Sequence, residues 1–292
     1  MVGNKRGEIR KEVILRIIML LLSALVLFPF LYCVAYSLSD SVAVMTTQIT
    51  IFPVQPTFKN YIEVLNQRNI FNSFFISIAR TVLGATYTVV VTGLASYAIS
   101  KRGLPGRRGL SIFMLIPMYI SGGLIPTYIL MFRLQLINSF WVYILPNGFW
   151  AFNMLLMRTY FDGLPRELEE AAKLDGAGDL KIFFRIIVPC SMPIIAVIAM
   201  YSGVWQWNAW YDAMVYITKS ALKPLQAILQ EMIMASYATQ TSLASGGGVV
   251  EQSSPEGIRL ATLVVTTLPI VIVYPFFQKY FVQGVMIGAV KA

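Results

Sequence analysis

Long stretches without a charged residue constrain this chain more than any other feature. Six of them are long enough for the roughly 20 residues with which a helix crosses about 30 Å of hydrocarbon. Two further uncharged stretches are rich in Pro, Thr, Gln, Ser or Gly, and lipid would leave their backbone polar groups unsatisfied. The sequence therefore predicts an all-α fold, a polytopic membrane helix bundle with six transmembrane helices at 17–39, 81–100, 109–132, 134–157, 186–211 and 260–278.

Composition and charge distribution agree with this class. Only 13% of the residues are charged and the mean hydropathy is +0.67, whereas a soluble domain has about a quarter charged residues. The first stretch is expected to stay as an anchor, because it exceeds the roughly 7–15 apolar residues of a signal peptide and lacks a small-x-small cleavage site. Most of the 23 Lys and Arg residues lie at the amino end, in the second and fourth connections and in the tail. The positive-inside rule then predicts that both termini are cytoplasmic, and the net charge of +9 gives no reason to expect a nucleic-acid partner.

The two Cys residues and the absence of His limit which metal sites and disulfides this chain can form. Cys33 and Cys190 are expected near opposite membrane faces, too far apart for a disulfide, which needs Cα atoms within about 7 Å. The chain has no His, so a structural zinc or iron–sulfur site has no ligand set. We expect no metal and no cofactor in this chain.

The connections and one span carry local signals. Segment 40–71 predicts extended structure followed by a short helix around Tyr61 to Leu65, and 101–109 predicts a tight turn. Ser121-Gly122-Gly123, flanked by Pro117 and Pro126, predicts a kink in the third span, with gating at the break as a second interpretation. A further helix is expected in the fifth connection, with one apolar face formed by Leu225, Ile228, Leu229, Met232 and Ile233.

A charged, Gly-containing segment at 163–189 separates the fourth and fifth spans. Pro165 can start a helix whose first turn holds three Glu residues, which suit the positive end of the helix dipole. Asp175-Gly176 is a stop signal, and Asp179 is expected to cap a second short helix. Pro189 and Pro193 mark the change to the fifth span. The pattern alone leaves two alternatives open, namely that the segment packs on its own bundle or that it docks another protein.

This segment resembles the EAA loop of permease subunits in binding-protein-dependent ABC importers. The resemblance rests on Leu164-Pro165, Glu167-Leu168, Glu170-Ala171-Ala172, Asp175-Gly176-Ala177, Phe183, Ile186, Pro189 and Pro193. It covers nearly the whole chain and is closest to the carbohydrate branch, as in maltose uptake. Residues 121–130, the stretch from Leu164 to Ala177 and the closing 278–292 are similar to permeases for complex oligosaccharides or polysaccharide fragments. Val188 departs from the family pattern, where Leu is usual, and keeps the position apolar.

The resemblance implies a set of contact residues. The EAA helix would seat in a cleft of an ATPase subunit, and the tail would reach the interface of the ATPase dimer. The implied docking residues are Glu170, Ala171, Ala172, Asp175, Gly176, Ala177 and Phe183, and the implied tail contacts are Gly288, Val290 and Lys291.

The resemblance also implies the assembly and the location. The partners are a sister permease, two ATPase subunits that carry ATP and Mg, an extracytoplasmic solute-binding protein, membrane lipid and a carbohydrate, expected to be an oligosaccharide and with acidic sugars as one option. The chain itself is not an enzyme, since it has no GxxxxGK[ST] phosphate loop. It would lie in the bacterial cytoplasmic (inner) membrane. Its expected divisions are 1–71, with the first span and outer loop, a permease core at 72–280, and a cytoplasmic tail at 281–292.

Candidate residues of the substrate pathway cluster near the outer end of the fifth span. Trp205, Trp207, Asn208, Trp210 and Tyr211 form either an aromatic belt at the headgroups or a surface that stacks on sugars, with Gln206 and Asp212 as added partners for hydroxyls. Arg80 is expected to snorkel to the outer interface, or else to contact an acidic sugar. Asn153 either bonds a neighbouring helix or faces the pathway.

Two other classes of function remain to be weighed. An ion-coupled secondary sugar carrier usually places Asp, Glu or His within its spans, and the six spans here contain none. A membrane-embedded enzyme needs a clustered acidic or nucleophilic set near one interface. The only acidic cluster is at 167–170, whose Ala-rich surroundings suit docking better than metal chemistry.

Overall fold

A computed structural model describes residues 5–40, 43–44, 51–66, 69–244 and 255–289. This part of the chain is helical, with one isolated β-bridge between Ser39 and Pro56 and no extended strand. The first helices are α1 Lys5–Ser37, α2 Lys59–Asn66, α3 Ile70–Ser100, α4 Arg107–Tyr119, α5 Leu124–Arg133 and α6 Ala151–Asp162. They are followed by α7 Glu167–Leu174, α8 Asp179–Ile182, α9 Met192–Asn208, α10 Tyr211–Tyr216, α11 Leu225–Ala244 and α12 Pro255–Ala289.

Three helices are long and apolar enough to cross a membrane without a break. They are Lys11–Ser37, Ile70–Ser100 and Glu256–Phe276. Three further stretches are pairs of helices bent at a short break, Arg107–Tyr119 with Leu124–Arg133 at 111°, Phe140–Asn147 with Ala151–Asp162 at 50°, and Asp179–Cys190 with Met192–Asn208 at 88°. If each bent pair counts as one span, these are six spans, and they coincide with the six uncharged stretches of the sequence.

The breaks have identifiable causes. The third span breaks between Tyr119 and Leu124, where the sequence predicted a kink, and Gly123 there has a φ of +81°. The fifth span bends at Ser191, between Pro189 and Pro193, because neither proline can donate the backbone hydrogen bond that would continue the helix. The break in the fourth span, around Gly148, was not expected from the sequence.

The chain forms two compact units, each of which has its own packing. The first consists of the described parts of Met1–Ile70 and Glu231–Leu268. In it the predicted short helix is confirmed as α2, whose buried Asn60 donates from Nδ2 to the carbonyls of Ser37 at 3.0 Å and Ser39 at 3.2 Å. These bonds fix α2 to the end of α1.

The second unit, Phe71–Gln230 with Pro269–Ala292, holds the candidate sites. One apolar cluster joins α3, α6, α8 and α9 through Tyr97, Phe161, Ile182, Phe183 and Ile198. A second cluster, formed around Tyr143 and Ala213, packs the short 3₁₀ turn Phe140–Tyr143 against α10. The start of α11 is buried at Leu225 and Leu229, as its predicted apolar face requires.

Helix α3 passes both clusters and carries a stripe of small and polar residues. Its 31 residues span about 46 Å at 1.5 Å per residue. Thr88 donates to the carbonyl of Asn147 at 3.0 Å, and Ser96 donates to that of Met154 at 3.2 Å. The buried members of this stripe follow a helical period and are Ser73, Ser77, Arg80, Gly84, Thr88, Thr92 and Ser96.

Candidate functional site

The segment between the fourth and fifth spans folds as a helix, a glycine turn and a second helix. Helix α7 ends at Leu174, and Gly176 adopts a φ of +76°, a left-handed conformation that suits glycine. The backbone N–H of Gly176 donates to the carbonyl of Lys173 at 3.0 Å, and that of Ala177 donates to the carbonyl of Ala172 at 2.9 Å. This pair of bonds is a Schellman motif, so the predicted stop at Asp175-Gly176 is confirmed.

The predicted role of Asp179 as a helix cap is wrong. Gly178 is the N-cap of α8 and Asp179 is the first residue of the helix. Its Oδ1 lies 3.3 Å from Nζ of Lys101, the residue that follows α3. The carboxylate of Asp179 therefore forms an ion pair that connects α8 to the end of α3. Helix α8 continues through a π-helical turn at Phe183–Ile187.

The inner face of this segment is buried in the unit's own core. Ala172 is 8% exposed and Phe183 is 2% exposed, and the ring of Phe183 packs on that of Tyr97 with centroids 5.3 Å apart. Gly93 of α3 makes room for this contact, since a Cβ there would lie 3.2 Å from Phe183 Cζ. Ala172 and Phe183 were expected at the docking surface. They instead pack in the core and hold the segment in place, so they are not exposed to a partner.

The outer face presents apolar side chains that sequence reasoning missed. Leu174 is 89% exposed at the end of α7, and Leu180 is 65% exposed in α8. Of the predicted docking residues, Glu170, Ala171, Asp175 and Gly176 are exposed and Ala177 is half-buried. We call the exposed set Glu170, Ala171, Leu174, Asp175, Gly176 and Leu180 the docking tip. The signal in the sequence was a leucine directly before the Asp-Gly stop.

Lys101 holds this segment against the end of α3. Its Nζ lies 2.6 Å from Oε2 of Glu169 and donates to the hydroxyl of Tyr97 at 2.5 Å. Burial acts to lower the pKa of Lys101, but the hydrogen bonds to Glu169 and Tyr97 outweigh it, so the pKa is raised above 10.5. The lysine is therefore charged at neutral pH. A cleft of about 580 Å³ opens beside it, between the turn at 100–105 and α7.

In the first half of α3, Arg80 is completely buried and paired. Its NH2 lies 2.6 Å from Oδ2 of Asp212 and its NH1 lies 3.3 Å from Oδ1, a two-pronged ion pair. Nε and NH2 also donate to Oε1 of Gln206 at 3.2 and 3.1 Å, and NH1 donates to the carbonyl of Ala209 at 2.9 Å. These bonds occupy all five N–H donors of a guanidinium.

Two expectations for this region are therefore corrected. The side chain of Arg80 does not snorkel to the interface, because the unit supplies a carboxylate for it. In this conformation it also has no donor left for a sugar. Gln206 and Asp212, expected as partners of sugar hydroxyls, are used by Arg80, and Gln206 also donates to the carbonyl of Tyr143 at 3.1 Å.

The remaining predicted residues between 205 and 211 differ in exposure. Trp207 is 6% exposed and packs edge-on against Phe74, whereas Trp205, Asn208 and Tyr211 are exposed and Trp210 is half-buried. Trp205 contacts Trp150 edge-to-face, with ring centroids 5.2 Å apart, and Trp150 is 40% exposed. The sequence analysis missed Trp150, because the break of the fourth span beside it was itself not expected.

For the remaining predicted residues the structure shows only burial or position in a helix. Asn153 is buried in α6 at 8% exposure. Gly288 lies near the end of α12, whereas Val290 and Lys291 lie outside the described residues. Cys33 and Cys190 are both free thiols. The described part of the chain holds no cluster of three His, Cys, Asp or Glu side chains that would bind a metal.

Comparison with known proteins identifies the class that this bundle and its charged loop define. Residues 89–287, more than half of the chain, match the family model of the binding-protein-dependent transport system inner membrane component. The chain belongs to this family. It is thus a membrane component of an ABC transport system and not its enzyme, and the ion-coupled carrier considered above is not supported.

Individual relatives cover almost the entire chain. The polygalacturonan/rhamnogalacturonan transport system permease protein YtcP of Bacillus subtilis is 34% identical over 94% of this chain and 95% of its own length. Protein LplC of the same species is 37% identical over 92% of this chain and 90% of its own. A crystal structure of a bacterial ABC transporter that imports the acidic polysaccharide alginate contains a chain with a TM-score of 0.80 and 29% identity, covering 96% of this chain and 98% of that one.

Proposed function

We propose that this chain is one of two permease subunits of an ATP-driven importer of acidic oligosaccharides, and that it binds a separate ATPase through the docking tip. In this proposal a sister permease forms the other half of the pathway, two ATPase subunits carry ATP and Mg, and an extracytoplasmic solute-binding protein delivers the sugar. Both termini and the docking tip are cytoplasmic, in line with the distribution of Lys and Arg.

The observation that carries the docking role is the exposure of Leu174. A leucine that is 89% exposed on a helix fixed from inside by buried Ala172 and Phe183 is a preformed apolar projection. An amphipathic helix with such an anchor fits a hydrophobic groove of another protein. Glu170 and Asp175 beside it add negative charge, which favours a groove with basic residues.

The substrate class is inferred from the relatives. YtcP is described as a permease for polygalacturonan and rhamnogalacturonan, and the structural relative imports alginate. Both polymers consist wholly or partly of uronic acids. Since both relatives cover more than nine-tenths of this chain, we propose an oligosaccharide that contains uronic acid as the substrate.

Copurification with the ATPase tests the docking role. Leu174→Asp, Glu170→Lys and Gly176→Val are expected to insert in the membrane but to lose most of the ATPase, because they charge the apolar anchor, reverse a charge or strain the turn. Leu65→Asp, which alters an exposed leucine in the first unit, is the matched control and should retain it. Full ATPase recovery and uptake in all three variants would refute the docking role.

Uptake into vesicles tests the substrate class. The reconstituted complex, with its binding protein, should take up oligogalacturonides in an ATP-dependent manner and should transport neutral malto-oligosaccharides of the same length poorly. Uptake of the neutral sugar alone would disprove the acidic substrate and leave the transport class intact. Uptake without any ATPase would disprove the transport class itself.

A further inference from the structure

Helix α3 contacts both the segment 163–189 and the residues 205–212 through charged side chains, one directly after its last residue and one a third of the way along it, at Arg80. Lys101, directly after the helix, contacts Glu169 and Asp179, and Arg80 contacts Asp212. The two basic residues are about 31 Å apart along the helix axis.

The helix between these contacts is continuous. The third, fourth and fifth spans are each bent by 50° to 111°, whereas α3 runs without a break from Ile70 to Ser100 and contains no proline. Its stripe of small and polar residues bonds to neighbouring backbone at Thr88 and Ser96, so the helix is also held between Arg80 and Lys101. A displacement applied at one end of such a helix reaches the other end with little loss, since close-packed elements shift as units.

The charged contacts of Lys101 and Arg80 are costly to break. Glu169 is 25% exposed and Lys101 is 20% exposed, and Arg80 is fully buried. Separating either pair would leave a partly or wholly desolvated charge without its partner. Movement of α7 should therefore carry α3 with it, and movement of α3 should carry residues 209–212.

We propose that the part of α3 between Arg80 and Lys101 transmits displacement of the docking tip to residues 209–212, with Lys101 and Arg80 as the positioning residues through which it contacts the two regions. This inference rests on the proposed docking of an ATPase. It predicts that loss of either contact lowers the amount of sugar transported per ATP hydrolysed, while the ATPase stays bound.

Sugar transported per ATP hydrolysed is the first measurement, made on the reconstituted complex with oligogalacturonide. Lys101→Met should keep the ATPase bound and hydrolysing, while the ratio falls at least about fivefold, the lower end of couplings between distant sites. Lys101→Arg should retain most of the ratio. The matched control is Lys173→Met, which removes a half-exposed lysine of α7 whose Nζ lies 4.0 Å from Oδ1 of Asp179, and its ratio should stay within about twofold of wild type.

The second measurement is the rate of cysteine labelling in α10. It distinguishes a loss of transmitted movement from a loss of stability. Cys33 and Cys190 are replaced by Ser, and Met214→Cys, at a 40% exposed position in α10, reports on the helix that holds Asp212. ATP should change its labelling rate in the parent protein. The change should disappear with Lys101→Met and with Arg80→Met combined with Asp212→Asn, a pair that leaves no buried charge.

The outcomes distinguish this inference from the proposed function. If Lys101→Met does not fold, Glu169→Gln combined with Asp179→Asn removes the same contact from the other side. An unchanged transport ratio and an intact labelling response in a variant that still binds the ATPase would overturn the role of α3. Failure of the parent protein to bind the ATPase would instead overturn the docking proposal.

Discussion

Gly84 of α3 lies against the side chain of Gln206 in α9, so closely that a Cβ at position 84 would come within 2.6 Å of Gln206 Cδ. Gln206 is 1% exposed and cannot swing away, because it accepts two hydrogen bonds from Arg80 and donates one to the carbonyl of Tyr143. The absence of a side chain at Gly84 is thus a condition for the buried network around Arg80.

Gly84→Ala should therefore destabilise the protein by about 1–3 kcal/mol, the usual cost of overpacking. Thermal unfolding of the detergent-solubilised protein, followed by Trp fluorescence, measures the change. Gly203→Ala is the control, since its nearest neighbour is Thr81 Cγ2 at 3.8 Å, and it should be neutral or stabilising by up to about 1 kcal/mol. Equal melting temperatures for the two variants would contradict the packing argument.

Removal of one partner from the Arg80–Asp212 pair should cost more than removal of both. Asp212→Asn leaves the buried guanidinium without its counter-charge, and breaking such a pair typically costs about 3–5 kcal/mol. Arg80→Met combined with Asp212→Asn removes both charges and should lose less than Asp212→Asn alone. Thermal unfolding of both variants tests this. A double variant that is less stable than Asp212→Asn alone would contradict this pairing.

The exposed pair of Trp150 and Trp205 should distinguish a sugar surface from an aromatic belt. If these rings stack on the substrate, Trp205→Ala should raise the KM for oligosaccharide uptake about three- to tenfold, which corresponds to about 0.6–1.4 kcal/mol. Trp141→Ala removes another exposed tryptophan, 53% exposed beside Phe140, and should leave the KM unchanged. A belt residue would instead alter membrane insertion or stability in both variants and the KM in neither.

The contact between Lys101 and Glu169 should be insensitive to pH over the physiological range. Because the pKa of Lys101 is raised in the folded state, its stabilising contribution is complete below the ordinary value of 10.5 and is lost as pH rises through the higher folded-state pKa. The difference in melting temperature between the wild type and Lys101→Met should therefore be constant from about pH 7 to 9 and should shrink only above about 10.5. A difference that already declines below pH 9 would show that the lysine is not held in its charged form.

The helical class and the position of the glycine turn were predictable from the sequence, because they depend on local signals. Spans follow from uncharged runs of sufficient length, and the end of α7 follows from Asp175-Gly176, where the chain needs a left-handed residue. Which residues of the segment 163–189 are buried was harder to predict from the sequence. Ala172 and Phe183 were assigned to the surface and are buried, since the orientation of a short helix is set by the core on which it packs.

Arg80 shows the limit of sequence reasoning most clearly. An arginine within an apolar stretch suggests either snorkelling or contact with a ligand. Its actual partner, Asp212, is distant along the chain, and no sequence pattern connects the two residues. Burial of a charge is acceptable only where a counter-charge and hydrogen-bond acceptors converge on it. That convergence depends on how α3, α9 and α10 pack.

The sequence by itself determined that this chain is a membrane bundle with a charged helical segment between its fourth and fifth spans, because hydrophobic length, charge distribution and glycine turns act on neighbouring residues. The tertiary structure decided which side of that segment faces out, which charges are paired and which tryptophans are exposed. These properties depend on contacts between residues far apart in the chain, whose energies are set by the desolvation and close packing of the folded unit.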